Sequence, residues 1–234
     1  MLNNILSIFQ KINLVINYLF KSETNEKKLF KQLLKNNNIL VIDIGSNNGI
    51  FVNKIEKYFK KNKIIIHSIE PIKELLENQN NNSAELIKHN YAITDFIGKT
   101  KFRITPLSSN SYIENNEIGN FSFKENFKEI DIRTLTLSEF VRRNNIKNID
   151  ILKIDTEGYE FKILESSQDL LDKEIIKIIK LEINFLNHKK NNLIKISQLL
   201  NKFDYKMIGI SNIKFKDNFL WFSDCYFVSE SLLN

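Results

Sequence analysis

Cysteine, proline and glycine are scarce in this 234-residue chain, with one Cys, two Pro and six Gly. A lone cysteine, Cys225, cannot bridge within the chain, which excludes a disulfide-stapled miniprotein and points to a reducing compartment. The expected location is the cytoplasm. So few Pro and Gly exclude collagen-like and Pro/Gly-rich disordered readings. A long apolar run is also missing. Residues 1–20 place Ile5, Ile8, Phe9, Ile12, Val15, Ile16, Leu19 and Phe20 at helical spacing, but Asn3, Asn4, Gln10, Lys11, Asn13 and Asn17 interrupt them. No stretch there reaches the ~20 apolar residues of a spanning helix. The basic start and small-residue cleavage site of a secretory signal are absent too. The expectation is an amphipathic helix that packs on the domain, lies on a membrane surface or makes a dimer contact.

Hydrophobic residues, by contrast, make up 42% of the chain and include 18 Phe, enough for a sizeable core and against global disorder. The length fits one large domain or two very small ones. A net charge of +6 and a pI near 9.1 raise the question of a polyanionic partner. The lysines are spread along the chain rather than clustered, so nucleic acid is not the expected partner.

After the segment 1–20, residues 22–25 form a polar link and a second helix ends at Asn36–Asn38, giving a helical extension over 1–38 and a main domain over 39–234. From Ile39 onward strand and helix signals alternate. A buried strand is expected at Ile39–Ile44, an alternating one at Glu129–Leu135, and further strands at Lys63–Ile69, Ala84–Tyr91, Lys101–Thr105, Ile149–Ile154 and Ile175–Ile183. Helices are expected over 49–60 (with Ile50, Ile55, Tyr58 and Phe59 inward), from Pro71, from the capping box Thr136-Leu-Ser-Glu139, and over 159–171 and 191–203. Residues 108–126 read as a long polar loop and a candidate lid. Two closing strands, Tyr205–Ile213 and Phe219–Ser229, leave no room for a helix between them. The pattern is α/β: a mostly parallel sheet covered on both faces, with an antiparallel hairpin added at the end.

Ligands in such sheets bind beyond the carboxyl ends of the strands. The polar residues gather at that edge. The first strand ends in Asp43-Ile-Gly45-Ser46-Asn47-Asn-Gly49, the second in Glu70, the third near Asn90-Tyr91-Ala92, the fourth in Asp155 and the fifth in Glu182. Gly45 and Gly49 allow close backbone approach, or a simple tight turn. Their G-x-x-x-G spacing lacks the middle Gly of a pyrophosphate loop. Glu70, about twenty residues on, suits the two hydroxyls of an adenosine ribose, or a helix N-terminus. Together they favour an adenosine-type cofactor.

These segments resemble the FkbM family of S-adenosylmethionine-dependent methyltransferases: Val41-Ile-Asp43-Ile-Gly45-Ser-Asn-Asn-Gly49, Ile69-Glu70-Pro71, Asn90-Tyr-Ala92-Ile-Thr-Asp95 and Asp150-Ile-Leu-Lys153-Ile-Asp155-Thr-Glu157-Gly158-Tyr-Glu160. Ser46-Asn47 replaces the family's usual Ala-Asn. The resemblance implies a class I methyltransferase (Rossmann-like) fold, a seven-stranded sheet with its last strand antiparallel. It also implies S-adenosylmethionine as cofactor. Asp43, Gly45, Ser46, Asn47 and Gly49 would surround its methionine part and sugar. Glu70, beside Pro71, would hold the ribose, and Asn90, Tyr91 and Ala92 would flank the adenine. The implied activity is O-methylation of a hydroxyl on a sugar, glycan or related small molecule, as in polysaccharide biosynthesis.

An alcohol is a poor nucleophile until it loses its proton, so a base within hydrogen-bond reach of the acceptor is expected. Asp155 and Glu182 end adjacent strands and are the best-placed carboxylates; Asp155 could instead hold the cofactor. His188 is a third candidate base. Glu157 and Glu160 read either as further acids or as a helix cap and a solvated first-turn residue. His67 and His89 lie within strands and read as structural. A cluster of Asp155, Glu157, Glu182 and His188 could also bind a divalent ion, but no tight ligand spacing supports one and the expectation is no metal. Two other readings stay open: a nucleic-acid methyltransferase, against which stands the missing Asn/Asp-Pro-Pro-aromatic tetrad, and a non-catalytic binding protein, against which stand the intact Gly45, Gly49 and Glu70.

Overall fold

The computed structural model describes residues 25–105, 112–113, 127–186 and 193–233. Residues 1–20, His188 and most of 108–126 lie outside them. No helix among the described residues is long and apolar enough to cross a membrane.

Seven strands form the central sheet: β1 (Asn38–Ile44), β2 (Lys63–Ile69), β3 (Glu85–His89), β8 (Ile149–Ile154), β9 (Ile176–Asn184), β10 (Tyr205–Lys216) and β11 (Phe219–Ser229). Their spatial order is β10-β11-β9-β8-β1-β2-β3. Five run parallel, while β11 is antiparallel to both β9 and β10. This is the seven-stranded sheet with an antiparallel last strand that the resemblance implies. β1, β2, β8 and β9 are rich in β-branched residues and largely buried because both of their faces are covered, while the edge strand β3 has no buried residue. Ile39 and Val41 of β1 enter a core with Phe30 of α1 (Glu26–Leu33), Leu34 at its C-cap, and Phe51, Val52 and Ile55 of α2 (Ile50–Tyr58). Ile42 and Ile44 enter the larger core on the other face.

Several local expectations need correction. Strands over 101–105 and 129–135 exist, as β5 (Gly98–Ile104) and β7 (Lys128–Leu135), but they belong to a separate four-stranded sheet ordered β4-β7-β5-β6, with β4 (Ala92–Ile93) and β6 (Tyr112–Ile113). Pro71 does not open a helix: the short α3 (Lys73–Glu77) begins two residues later, after Ile72. The expected helix over 159–171 is broken at Ser166-Ser167, giving α5 (Glu160–Glu165) and α6 (Gln168–Asp172), with both serine hydroxyls donating to the Ile163 carbonyl. Ile50 faces outward, 60% exposed, while Phe51 and Val52 take the buried positions. Thr136 does cap α4 (Leu137–Arg143), accepting from the Glu139 amide at 3.2 Å. The Glu139 carboxylate is bound to Arg142 and Arg143.

Candidate active site

Where β1 ends, the chain must turn within a crowded space. Gly45 has φ +72°, and a Cβ there would lie 1.9 Å from the Asp155 carbonyl oxygen, so only glycine fits. Its amide donates to the Ile69 carbonyl at 3.0 Å, tying β1 to β2. Ser46 is buried and turned inward, accepting from Ser68 Oγ (2.7 Å) and Gln79 Nε2 (2.8 Å). Gln79 also donates to the Asn47 carbonyl at 2.6 Å and packs beneath Gly49. The turn is thus held from below by side chains of the next βα unit, leaving its upper face to a ligand.

Glu70, at the end of β2, is 5% exposed and accepts the Asn47 amide on Oε2 and the Ile72 amide on Oε1, both at 2.9 Å. A carboxylate has roughly four acceptor sites, so two are left for a ligand's hydroxyls. Burial raises its pKa, against the two amides that stabilise the charge. Asn90 Nδ2 donates to the Glu70 and Pro71 carbonyls, at 3.0 and 2.9 Å, and fixes this corner.

Lys153 occupies the centre. It is 9% exposed, and its Nζ donates to Asp43 Oδ1 at 2.9 Å and to the Gly45 carbonyl at 3.1 Å, and lies 3.4 Å from Asp155 Oδ2. The buried Asp43 is completely enclosed, and its Oδ2 has no hydrogen-bond partner among the described residues. Burial raises the Asp43 pKa, with Lys153 acting against that. Lys153 is held charged, its pKa raised by Asp43 and Asp155 against the burial that would lower it.

Beside Lys153 the carboxylates of Asp155, Glu157 and Glu182 converge, all within 4.8 Å of one another. Glu157 and Gly158 reach this position through left-handed backbone, φ 56° and 123°. Glu160 is no solvated acid. It is 1% exposed and braces that loop, accepting Thr156 N at 2.7 Å and Gly158 N at 3.0 Å. Burial first, then the charge and hydrogen bond of Asp155, push the Glu182 pKa far up, toward the protonated acid at neutral pH.

A cavity of about 930 Å³ joins these groups. Of the expected residues, Gly45, Ser46, Asn47, Glu70, Pro71, Tyr91, Ala92, Asp155 and Glu182 line it. Asp43, Gly49 and Asn90 are not among the lining residues; Asp43 is bonded to the lining Lys153, and Asn90 braces the Glu70 corner. Near Glu70 the wall is apolar, formed by Ile72, Tyr91, Ala92, Ile93 and Phe102; at the opposite mouth stand Asn184, Asn212, Lys214, Phe215, Trp221 and Phe222. One end suits a flat aromatic base beside a diol, and the centre suits a cation. An adenosine bearing a positively charged tail fits this donor and acceptor set.

Sequence reasoning passed over Lys153, Lys180, Asp224 and Glu26. Lys180 bonds Asp224 Oδ2 at 3.0 Å and Glu26, which also accepts from Tyr58 Oη (3.0 Å) and Tyr226 Oη (2.9 Å). A lysine flanked on both sides by apolar residues within a strand was the available signal for both Lys153 and Lys180. His67 and His89 are structural as expected. They stack with ring centroids 5.2 Å apart, their nitrogens 3.0 Å apart, and burial lowers both pKa values, that of His89 to about 4.

Residues 43–207, well over half of the chain, match the family model described as Methyltransferase FkbM domain. Among solved structures, the FkbM methyltransferase of Methylobacillus flagellatus KT aligns over 90% of this chain and 50% of its own, at 15% identity and TM-score 0.56. The chain therefore spans about half the length of that protein. M. jannaschii TYW2, solved with AdoMet, aligns over 89% of this chain and 79% of its own, at 14% identity and TM-score 0.38. M. capricolum TrmK, solved with S-adenosyl-homocysteine, aligns over 88% and 69%, at 12% identity and TM-score 0.44. None of the curated proteins matches the chain.

Proposed function

Because the chain belongs to the FkbM methyltransferase family, we propose that it is an S-adenosylmethionine-dependent O-methyltransferase acting on a hydroxyl of a sugar or glycan. The observation that carries this reading is one cavity with Glu70 and an apolar wall at one end and the carboxylates of Asp155, Glu157 and Glu182 at its centre. S-adenosylmethionine, when bound, supplies a reactive methyl group on a cationic sulfonium. Glu70 would hold its ribose hydroxyls, Tyr91 and Ala92 would flank the adenine, and the Gly45–Asn47 turn would hold the sugar and the methionine part. Asp43 acts from below, through Lys153.

The central acids bind the cationic end and the acceptor. Asp155 would take the proton of the acceptor hydroxyl, whose oxygen would gain the methyl as the sulfonium leaves as the neutral thioether, and Glu182 would keep Asp155 oriented by donating to it. Holding the two reactants in line would supply much of the rate.

The test is calorimetric titration with S-adenosylmethionine and S-adenosylhomocysteine, followed by mass spectrometry of saccharides incubated with enzyme and cofactor. Binding of both, with a mass gain of one methylene on a saccharide, supports the reading; a folded protein that binds neither refutes it. Asp155→Asn fixes the role of Asp155. As the base, its loss lowers kcat by about 10²–10⁴ with cofactor affinity kept. A fall in cofactor affinity without that loss would make it an anchor instead.

A further inference from the structure

The closing hairpin is longer than the sheet that carries it. β11 pairs with β9 only over Phe222–Val228, and Phe222 sits opposite Asn184, the last residue of β9. β10 and β11 continue together to the pair Lys216–Phe219, closed by Asp217-Asn218 at φ 50° and 66°. The overhang therefore projects past the carboxyl edge of the sheet, over the mouth of the cavity. Its position is set by backbone: the Phe185 amide donates to the Trp221 carbonyl at 2.7 Å. Trp221 is 39% exposed, lines the cavity, and meets the Phe222 ring edge-on with centroids 4.9 Å apart. Lys216 Nζ lies 5.9 Å from the Trp221 ring centroid. Lys214 also lines the cavity, and no carboxylate of the described residues pairs with either lysine.

A large flat ring at a site mouth offers an apolar face to another ring, whatever its polar substituents. Two exposed ammonium groups beside it favour an anion. Behind them the floor is acidic, with Asp155, Glu157 and Glu182. That order, basic rim and acidic floor, discriminates. Hydroxyl groups suit the floor, where carboxylates accept from them; a negative charge suits the rim, where the ammonium groups are exposed. A chain of phosphates laid across the mouth would bring further charges against the floor. The cavity, near the top of the range of about 300–1,000 Å³ for small-ligand sites, has room for an acceptor ring beside the cofactor.

We infer that Trp221, Lys214 and Lys216 form the acceptor subsite, and that the acceptor is a saccharide carrying one negative group, a uronate carboxylate or a sugar phosphate, with its ring on Trp221 and its anion on the lysines. The inference rests on the methyl-transfer reading above and names its substrate class.

Trp221 is the chain's one tryptophan, so fluorescence excited at the red edge, where tyrosine does not absorb, reports this mouth alone. The full chain, saturated with S-adenosylhomocysteine, is titrated with a glucuronate-terminated disaccharide, its neutral glucose counterpart, a hexose phosphate and a single-stranded oligoribonucleotide. At least one anionic saccharide should quench saturably and bind at least tenfold tighter than the neutral sugar; whichever binds tighter identifies carboxylate or phosphate. In a Lys214→Gln/Lys216→Gln double variant that preference should fall to about unity. Equal binding of charged and neutral sugars, tighter binding of the oligoribonucleotide, or a preference that survives the double variant overturns the inference. Calorimetry on the same sample separates the two levels. If S-adenosylhomocysteine binds and no saccharide does, the acceptor assignment alone falls. If S-adenosylhomocysteine does not bind, the methyl-transfer reading falls and the inference with it.

Discussion

Replacing Glu182 with glutamine removes one titrating proton from the acid cluster and leaves a side chain that still donates to Asp155. In the wild type, burial and the neighbouring Asp155 keep Glu182 protonated through neutrality. The unfolded chain releases that proton near the ordinary glutamate value, about 4.3. Between that value and the raised folded one, the folded state therefore binds one proton more than the unfolded state. The sign follows: this group's contribution is fully present below the unfolded pKa and is lost as pH rises toward the folded one. One proton corresponds to a slope of about 1.4 kcal/mol per pH unit. Over two units, from about pH 5.5 to 7.5, the wild type should lose up to about 2.7 kcal/mol relative to Glu182→Gln. For a domain of this size, about 2–4 °C per kcal/mol converts that to roughly 5–11 °C. The raised pKa values of Asp43, Glu70 and Asp224 act in both proteins and largely cancel in the difference. The assay is differential scanning calorimetry of both proteins across that range at fixed ionic strength. The gap in Tm should widen steadily in favour of the variant as pH rises. Parallel curves would show that Glu182 is ionised in the folded state, and the reasoning would fail.

Glu70→Ala should weaken S-adenosylmethionine at least tenfold by calorimetry, since each charged hydrogen bond lost is worth about 1.5–3 kcal/mol; an unchanged Kd in a folded variant would remove Glu70 from the cofactor site. Lys153→Met leaves Asp43 buried without its cation, a loss of about 3–5 kcal/mol, so Tm should fall by roughly 6–20 °C. The Asp43→Asn/Lys153→Met double variant should recover most of it, and a single variant as stable as the wild type would contradict the pairing. A protein reduced to residues 39–234 loses Phe30, Leu34 and the Glu26 partner of Lys180. With core truncations costing about 2–5 kcal/mol each, its urea midpoint should drop sharply against the full chain; an unchanged midpoint would show that α1 is dispensable.

The central sheet was legible because β1, β2, β8 and β9 are largely buried runs rich in β-branched residues, and strands such as β8 and β2 matched to the residue. Gly45 and Glu70 were legible because the carboxyl ends of parallel strands share one edge. The second sheet was not: β5 and β7 carry strand patterns like those of the central sheet, and nothing local says which sheet a strand joins. Nor was the loop brace at Glu160, whose acidic first-turn position is the same whether it faces solvent or curls back onto Thr156 and Gly158. The carboxylate cluster eluded spacing arguments because its members come from two strands and a left-handed loop. Glu26 and Lys180 stand 154 positions apart, and only tertiary packing brings such a pair together. The hairpin was expected, yet its overhang depends on where β9 stops rather than on β10 and β11 themselves.

Gly45 and Asp155 have a further consequence for how this chain can vary. The turn after β1 has no room for a side chain because the carbonyl of Asp155 stands there, and the Lys153 ammonium bonds Asp43, the Gly45 carbonyl and Asp155 together. The cofactor turn and the start of the acid cluster are thus a single rigid block, assembled from segments more than a hundred residues apart. Neither can be exchanged alone. A chimera that joins β1 of one relative to β8 of another will misfit at this seam even when each strand is intact, whereas the hairpin rim, which is not part of that seam, can be swapped or diversified without disturbing it.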